Sequence, residues 1–150
     1  MTNTETNIPQ INLKQLIGQL INTYQSVAVQ QHSFFINEVS PHLCTVTDAD
    51  TLTTMMGSLL YIIARCSRDS CIHISTYEED NITTISMKDN NAVANYAVLY
   101  EFHHLKMLAQ QLQGFLDIHT ERNKETVISF SFDNMRASAA NGILRELKRA

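Results

Sequence analysis

Apolar residues along this chain recur with two periods, and the change from one to the other divides it into elements. Leu13, Leu16, Ile17, Leu20 and Ile21 stand three and four positions apart, so Ile11 to Tyr24 predicts an amphipathic helix with Asn12 or Asn7 as its cap. Ser33 to Val39 is rich in β formers and closes at the turn pair Ser40-Pro41, which predicts a strand. Leu43 to Thr47 reads as a second, short strand. Helical spacing returns with Leu52, Met55, Met56, Leu59, Leu60, Ile62 and Ile63. This broad apolar face follows Asp48 or Asp50 as cap and stops at Ser67 to Ser70.

Two alternating runs come next, Ile72 to Tyr77 and Ile82 to Met87. The acidic, turn-prone link Glu78 to Asn81 joins them as a hairpin. Phe102, Leu105, Leu108, Ala109 and Leu112 mark a further helix, which Gly114 is expected to stop from the C′ position. Phe115 to Thr120 and Thr126 to Phe132 form a second hairpin around Arg122 to Glu125. Residues 1–10 are polar and carry Pro9, so a disordered lead-in is expected there. The tail from Met135 to Ala150 can form a helix with Ile143, Leu144 and Leu147 on one side. The expected organisation is a lead-in over 1–10, one domain over 11–133 and a C-terminal helix over 134–150. Helices alternating with hairpins in this way predict an α+β fold. It is a two-layer α/β sandwich whose mixed, mostly antiparallel sheet carries helices on one face.

Composition narrows the class. The chain has 150 residues, 44% of them hydrophobic and 17% charged, a globular balance large enough for its own core. A net charge of -4 argues against nucleic acid as a partner, because neutralising phosphates needs a basic face. The longest apolar stretch, Leu59 to Ala64, is too short to span a bilayer, so no membrane insertion is expected. The first residues lack the basic start and apolar core of a signal peptide. Cys44, Cys66 and Cys71 are odd in number and fit no framework, which points to reduced thiols and a cytoplasmic protein. A cytoplasmic piece of a larger membrane protein would read the same way.

Several residue clusters invite a chemical reading and have a plainer one. His103 and His104 are neighbours on a helix and point about 100° apart, so they read as a surface pair and not as one ligand sphere. Cys66, Cys71 and His73 match no zinc spacing, and no metal site is expected. Met55, Met56 and Met107 fall on apolar helix faces as core. Arg136, Arg145, Lys148 and Arg149 are broken by Glu146 and read as a solvated helix face that could also meet an acidic partner.

One set of residues carries more. Asp89 ends the strand-like run that begins at Ile82, and it follows a helix that reads Ser58-Leu59-Leu60-Tyr61-Ile62-Ile63-Ala64-Arg65-Cys66-Ser67. With the opening Ile11-Asn12-Leu13, the entry Asp48 to Leu52, the helix from Phe102 and the strand Leu116 to Thr120, this order resembles the ATP-binding domain of sensor histidine kinases, the Bergerat-type GHKL fold. The resemblance runs over residues 11–132. It implies that Ser58 to Ser67 stands for the family's "NLLxNAxxxS" box and that Asp89 stands for its adenine-reading aspartate. Asp89 and Ser58 are therefore the candidate cofactor-binding residues of a remnant nucleotide pocket.

The same alignment exposes what is missing. The family's Mg²⁺-coordinating asparagine falls on Ile62, which offers no oxygen to a hard cation. The first box asparagine is Ser58. The glycines of "DxGxG" fall on Asn91 and Val93, although that backbone must pass close to a nucleotide at angles that favour glycine. The second glycine box falls on Val98-Leu99-Tyr100-Glu101, which places a carboxylate where backbone N–H groups would hold phosphate. Phosphoryl transfer rests on positioning and charge neutralisation, and these losses remove both. The expectation is a degenerate, catalytically inactive kinase-like domain with no cofactor, ATP being disfavoured. It would work as a signalling module that binds a protein partner such as a receiver domain. The alternative is residual nucleotide binding, or a phosphotransfer-type protein of a two-component pathway. Self-association through the Ile11 helix or the tail is a further expectation.

Overall fold

The computed structural model describes residues 10–91, 100–120 and 125–133. The expected C-terminal helix lies outside them, as does the lead-in apart from Gln10. The described residues open with a two-residue strand, β1 (Ile11–Asn12), where the helix was expected to begin already. Asn12 is the reason. Its backbone is extended and its side chain accepts the Gln15 N–H at 3.0 Å, which makes it the N-cap and starts α1 at Leu13 (Leu13–Gln30). The helix also runs past Tyr24, because Ala28 is buried and Val27 packs on the core, extending the apolar stripe.

Next come β2 (Phe34–Glu38) and β3 (Cys44–Thr45), the latter pairing antiparallel with β1. Helix α2 (Ala49–Cys66) is capped by Asp48, whose carboxylate accepts the backbone N–H groups of Asp50 at 3.1 Å and Thr51 at 3.2 Å. Strands β4 (Cys71–Glu79) and β5 (Ile82–Asp89) form the expected hairpin. Its two turn residues, Asp80 and Asn81, have φ of 53° and 66°, the left-handed pair of a type I′ turn.

Helix α3 (Tyr100–Gln111) precedes the hairpin of β6 (Gly114–Thr120) and β7 (Thr126–Asp133). Gly114 does not stop this helix. The left-handed residue after it is Gln113, at φ 54°, and Gly114 is the first residue of the next strand.

Five strands form one sheet in the order β2-β4-β5-β7-β6, parallel only between β2 and β4. Register places Ile72, Ile74, Ile85, Met87, Ile128 and Phe130 on one face, all buried against the helices. Phe34, Tyr77, Ile82 and Phe115 stand exposed on the other. This is the two-layer α+β sandwich with a mixed, mostly antiparallel sheet. No helix among the described residues is long and apolar enough to cross a membrane.

Helix α2 is buried along most of its length, with Leu52, Met55, Met56, Leu59, Leu60 and Ile63 in the core. Gly57 lies within it, beside α1. A Cβ added there would sit 3.5 Å from the Tyr24 hydroxyl and 3.6 Å from Leu20 Cδ2, both ordinary contacts. Gly57→Ala is therefore expected to stabilise the fold by about 0.5–1 kcal/mol through the lower entropy of alanine in the unfolded chain. A higher urea midpoint at unchanged slope is the readout.

Candidate functional site

Asp89 is the last residue of β5, on the helix-facing side of the sheet, opposite Ile72 of β4 and Thr126 of β7. It is 2% exposed. A buried carboxylate requires donors, and this one has them. The Ser70 hydroxyl donates to its Oδ1 at 2.5 Å and the Asn91 backbone N–H donates to the same oxygen at 3.1 Å. Ser70 in turn receives structure from further away: its N–H donates to Ser33 Oγ at 3.1 Å, and its carbonyl accepts the Phe34 N–H at 3.1 Å. The turn after β5 is held again where the Asn91 amide donates to the Arg68 carbonyl at 2.7 Å. Asp89 thus caps the turn that follows it and joins the starts of β2 and β4 to the end of β5.

Ser58 occupies a different place. With Tyr61 and Ile62 of α2, Tyr24 of α1, and Glu101, His104 and Leu105 of α3, it lines a cleft of about 320 Å³. Helical geometry assembles it. Ser58, Tyr61, Ile62 and Arg65 are spaced i, i+3, i+4 and i+7 and share one face of α2, while Glu101, His104 and Leu105 share one face of α3. Ile62 is 4% exposed and belongs to the core, so the cleft floor is aliphatic. Tyr24 and Tyr61 meet at 5.8 Å between ring centroids with a tilt of 54°.

The rim is charged but balanced. Arg65 donates from Nη2 to Glu101 Oε1 at 3.1 Å, across the gap between α2 and α3. The guanidinium also lies over the Tyr61 ring, 5.5 Å from its centroid. The backbone N–H of Glu101 and the Arg65 guanidinium hold the Glu101 carboxyl below its ordinary value, and Glu101 holds Arg65 protonated more firmly. Both side chains are half exposed, so the pair is open to screening by salt.

Of the two residues singled out by sequence, Ser58 lines the cleft and Asp89 is not among its described lining residues. Val93 and the stretch 92–99 lie outside the described residues. The Arg65–Glu101 pair and the two tyrosines had no local signal, since they join residues 36 or more positions apart. Of these residues, only Tyr61 and Arg65 share a local spacing with Ser58, at i+3 and i+7 on one face of α2. Among the described residues, no three His, Cys, Asp or Glu side chains group to hold a metal.

No protein-family model matches the chain, and no curated protein does. Solved structures do. The histidine kinase AdeS of Acinetobacter baumannii superposes at TM-score 0.73 and 10% identity, over 84% of this chain and 66% of its own. The catalytic domain of the histidine kinase ThkA, in a nucleotide-free form, superposes at TM-score 0.70 and 12% identity, over 84% of this chain and 96% of its own. ThkA in complex with the response regulator protein TrrA gives TM-score 0.68 at 12% identity, over 84% of this chain and 41% of the other. This chain has the histidine-kinase catalytic-domain fold.

The resemblance implies Mg-ATP, and the described residues can be tested against it. Mg²⁺ takes oxygen ligands in a near-ideal octahedron. Among the described residues the cleft offers neutral hydroxyls at Ser58, Tyr24 and Tyr61, an aliphatic side chain at Ile62 and a carboxylate at Glu101 already paired with Arg65. Among the described lining residues, this set leaves no unpaired carboxylate for a magnesium–triphosphate group.

Proposed function

We propose that the chain is a non-catalytic, kinase-like module of two-component signalling that binds a protein partner and does not turn over ATP. The observation that supports this reading most is Ile62. The alignment assigns that position to the metal-binding asparagine, and here it is an aliphatic residue packed into the core. Asn91 and Glu101, where the glycine boxes would fall, support it further. Calorimetry of the whole chain with ATP and Mg²⁺ is expected to give no binding heat at micromolar nucleotide. Micromolar affinity would overturn the proposal and favour residual nucleotide binding, with Ser58 and Asp89 as its contacts.

A receiver domain is the partner class we favour, because the similar ThkA was solved with a response regulator. That comparison also supports a second reading, a phosphotransfer-type protein whose kinase-like domain docks a receiver. Hydrogen exchange with a receiver domain separates the uses of the surface. Protection at a sheet edge marks a scaffold, and protection at Ser58, Ile62 and Leu105 marks use of the cleft. A cytoplasmic location fits either reading. Light scattering on the isolated chain tests self-association.

A further inference from the structure

We propose that the cleft between α1, α2 and α3 is a binding site for a small, neutral, planar aromatic ligand. The inference goes beyond the signalling role and stands whether or not a receiver domain docks. Three observations carry it. The first is size: about 320 Å³ is at the small end of the range for ligand pockets, enough for a ring system and too little to bury a nucleoside triphosphate.

The second is shape. Tyr24 and Tyr61, tilted by 54°, make a corner above the Ile62 and Leu105 floor. A flat ring entering it meets one tyrosine near its face and the other near its edge, the two arrangements aromatic rings prefer. Ser58 of α2 and His104 of α3 also line the cleft and add polar groups that can orient a ring N–H, in the pattern of an apolar pocket with few polar contacts.

The third is charge. Arg65 and Glu101 neutralise each other at 3.1 Å, and Arg65 is further held over Tyr61. An anionic ligand would have to draw Arg65 from its partner. A cationic one would have to draw Glu101 from its own. Either would also lose hydration on entering an aliphatic floor, so a neutral ligand is selected.

Indole is the probe, titrated into the ¹⁵N-labelled whole chain and followed by amide chemical shifts. The expected result is saturable shifts at Ser58, Ile62 and Leu105. Indole-3-carboxylate, the same ring with a negative charge, is expected to bind at least about tenfold more weakly. Ser58→Phe fills the cleft and is expected to abolish the shifts. If that variant does not fold, Tyr61→Ala removes a partly exposed wall and is expected to weaken binding by about tenfold or more. Absence of saturable shifts, equal binding of the carboxylate, or unchanged binding by the folded variants would each overturn the site. None of these outcomes depends on ATP, so failure here is distinct from failure of the inactive-kinase reading.

Discussion

Gly114→Ala is expected to destabilise the fold by about 2 kcal/mol, the cost of overpacking a filled core. Gly114 is the first residue of β6 and pairs with Phe132 of β7. A Cβ there would stand 2.5 Å from Phe130 Cε1, 2.8 Å from Phe130 Cζ and 2.7 Å from the Ser131 carbonyl oxygen. Its φ is not positive, so the need for glycine is one of space and not of backbone angle. Phe130 is fully buried and stacks on Phe132 at 5.1 Å, which leaves its ring little room to retreat. Urea unfolding reads the loss as a lower midpoint at unchanged slope. The double variant Gly114→Ala with Phe130→Leu is expected to recover only part of it beyond the cost of Phe130→Leu alone, because the Ser131 carbonyl belongs to the backbone and stays in place. Full additivity of the two single costs would show that Phe130 is not what the new methyl meets.

The same glycine shows how the sequence was and was not legible. Periodicity located α2, α3 and both hairpins, because a buried face must repeat at the period of its element. Gly114 then looked like a helix stop, since glycine after an apolar helical run usually is one. Its actual constraint comes from Phe130, sixteen positions on and in a partner strand, and no local pattern carries that. The start of α1 was blurred for a related reason. Ile11 and Asn12 directly precede the apolar spacing that begins at Leu13, but they are drawn into pairing with Thr45 and Cys44. At the site, Ser58 and Ile62 could be placed by their box, whereas the Arg65–Glu101 link and the tyrosine corner exist only once three helices are packed. The contact of Asp89 with the Asn91 N–H, two positions on, is legible locally, because an aspartate at a strand end can cap its own turn. The tie of Asp89 to Ser70 is not.

Ile62→Asn reinstates the side chain that the alignment assigns to the metal and is expected to cost stability without bringing back nucleotide binding. Ile62 is 4% exposed and packed in the core, so the exchange forfeits most of the transfer free energy of one aliphatic side chain, about 1.5–3 kcal/mol. The amide then needs partners, and those within the cleft are few. The Ser58 hydroxyl and water entering from the open side satisfy it in part, which keeps the net loss at about 2–3 kcal/mol. One oxygen at position 62 supplies a single ligand, while Mg²⁺ needs several together with the substrate phosphates. Arg65 stays paired with Glu101, so its guanidinium would have to leave that carboxylate to meet the triphosphate. Thermal unfolding of Ile62→Asn with and without Mg-ATP measures both parts. The expected outcome is a lower midpoint that the nucleotide does not raise, because only a ligand bound to the native state stabilises it by mass action. A midpoint that Mg-ATP raises in the variant and not in the wild-type chain would mean that the phosphate half of the site is intact apart from this side chain, and the inactive-kinase reading would then fail.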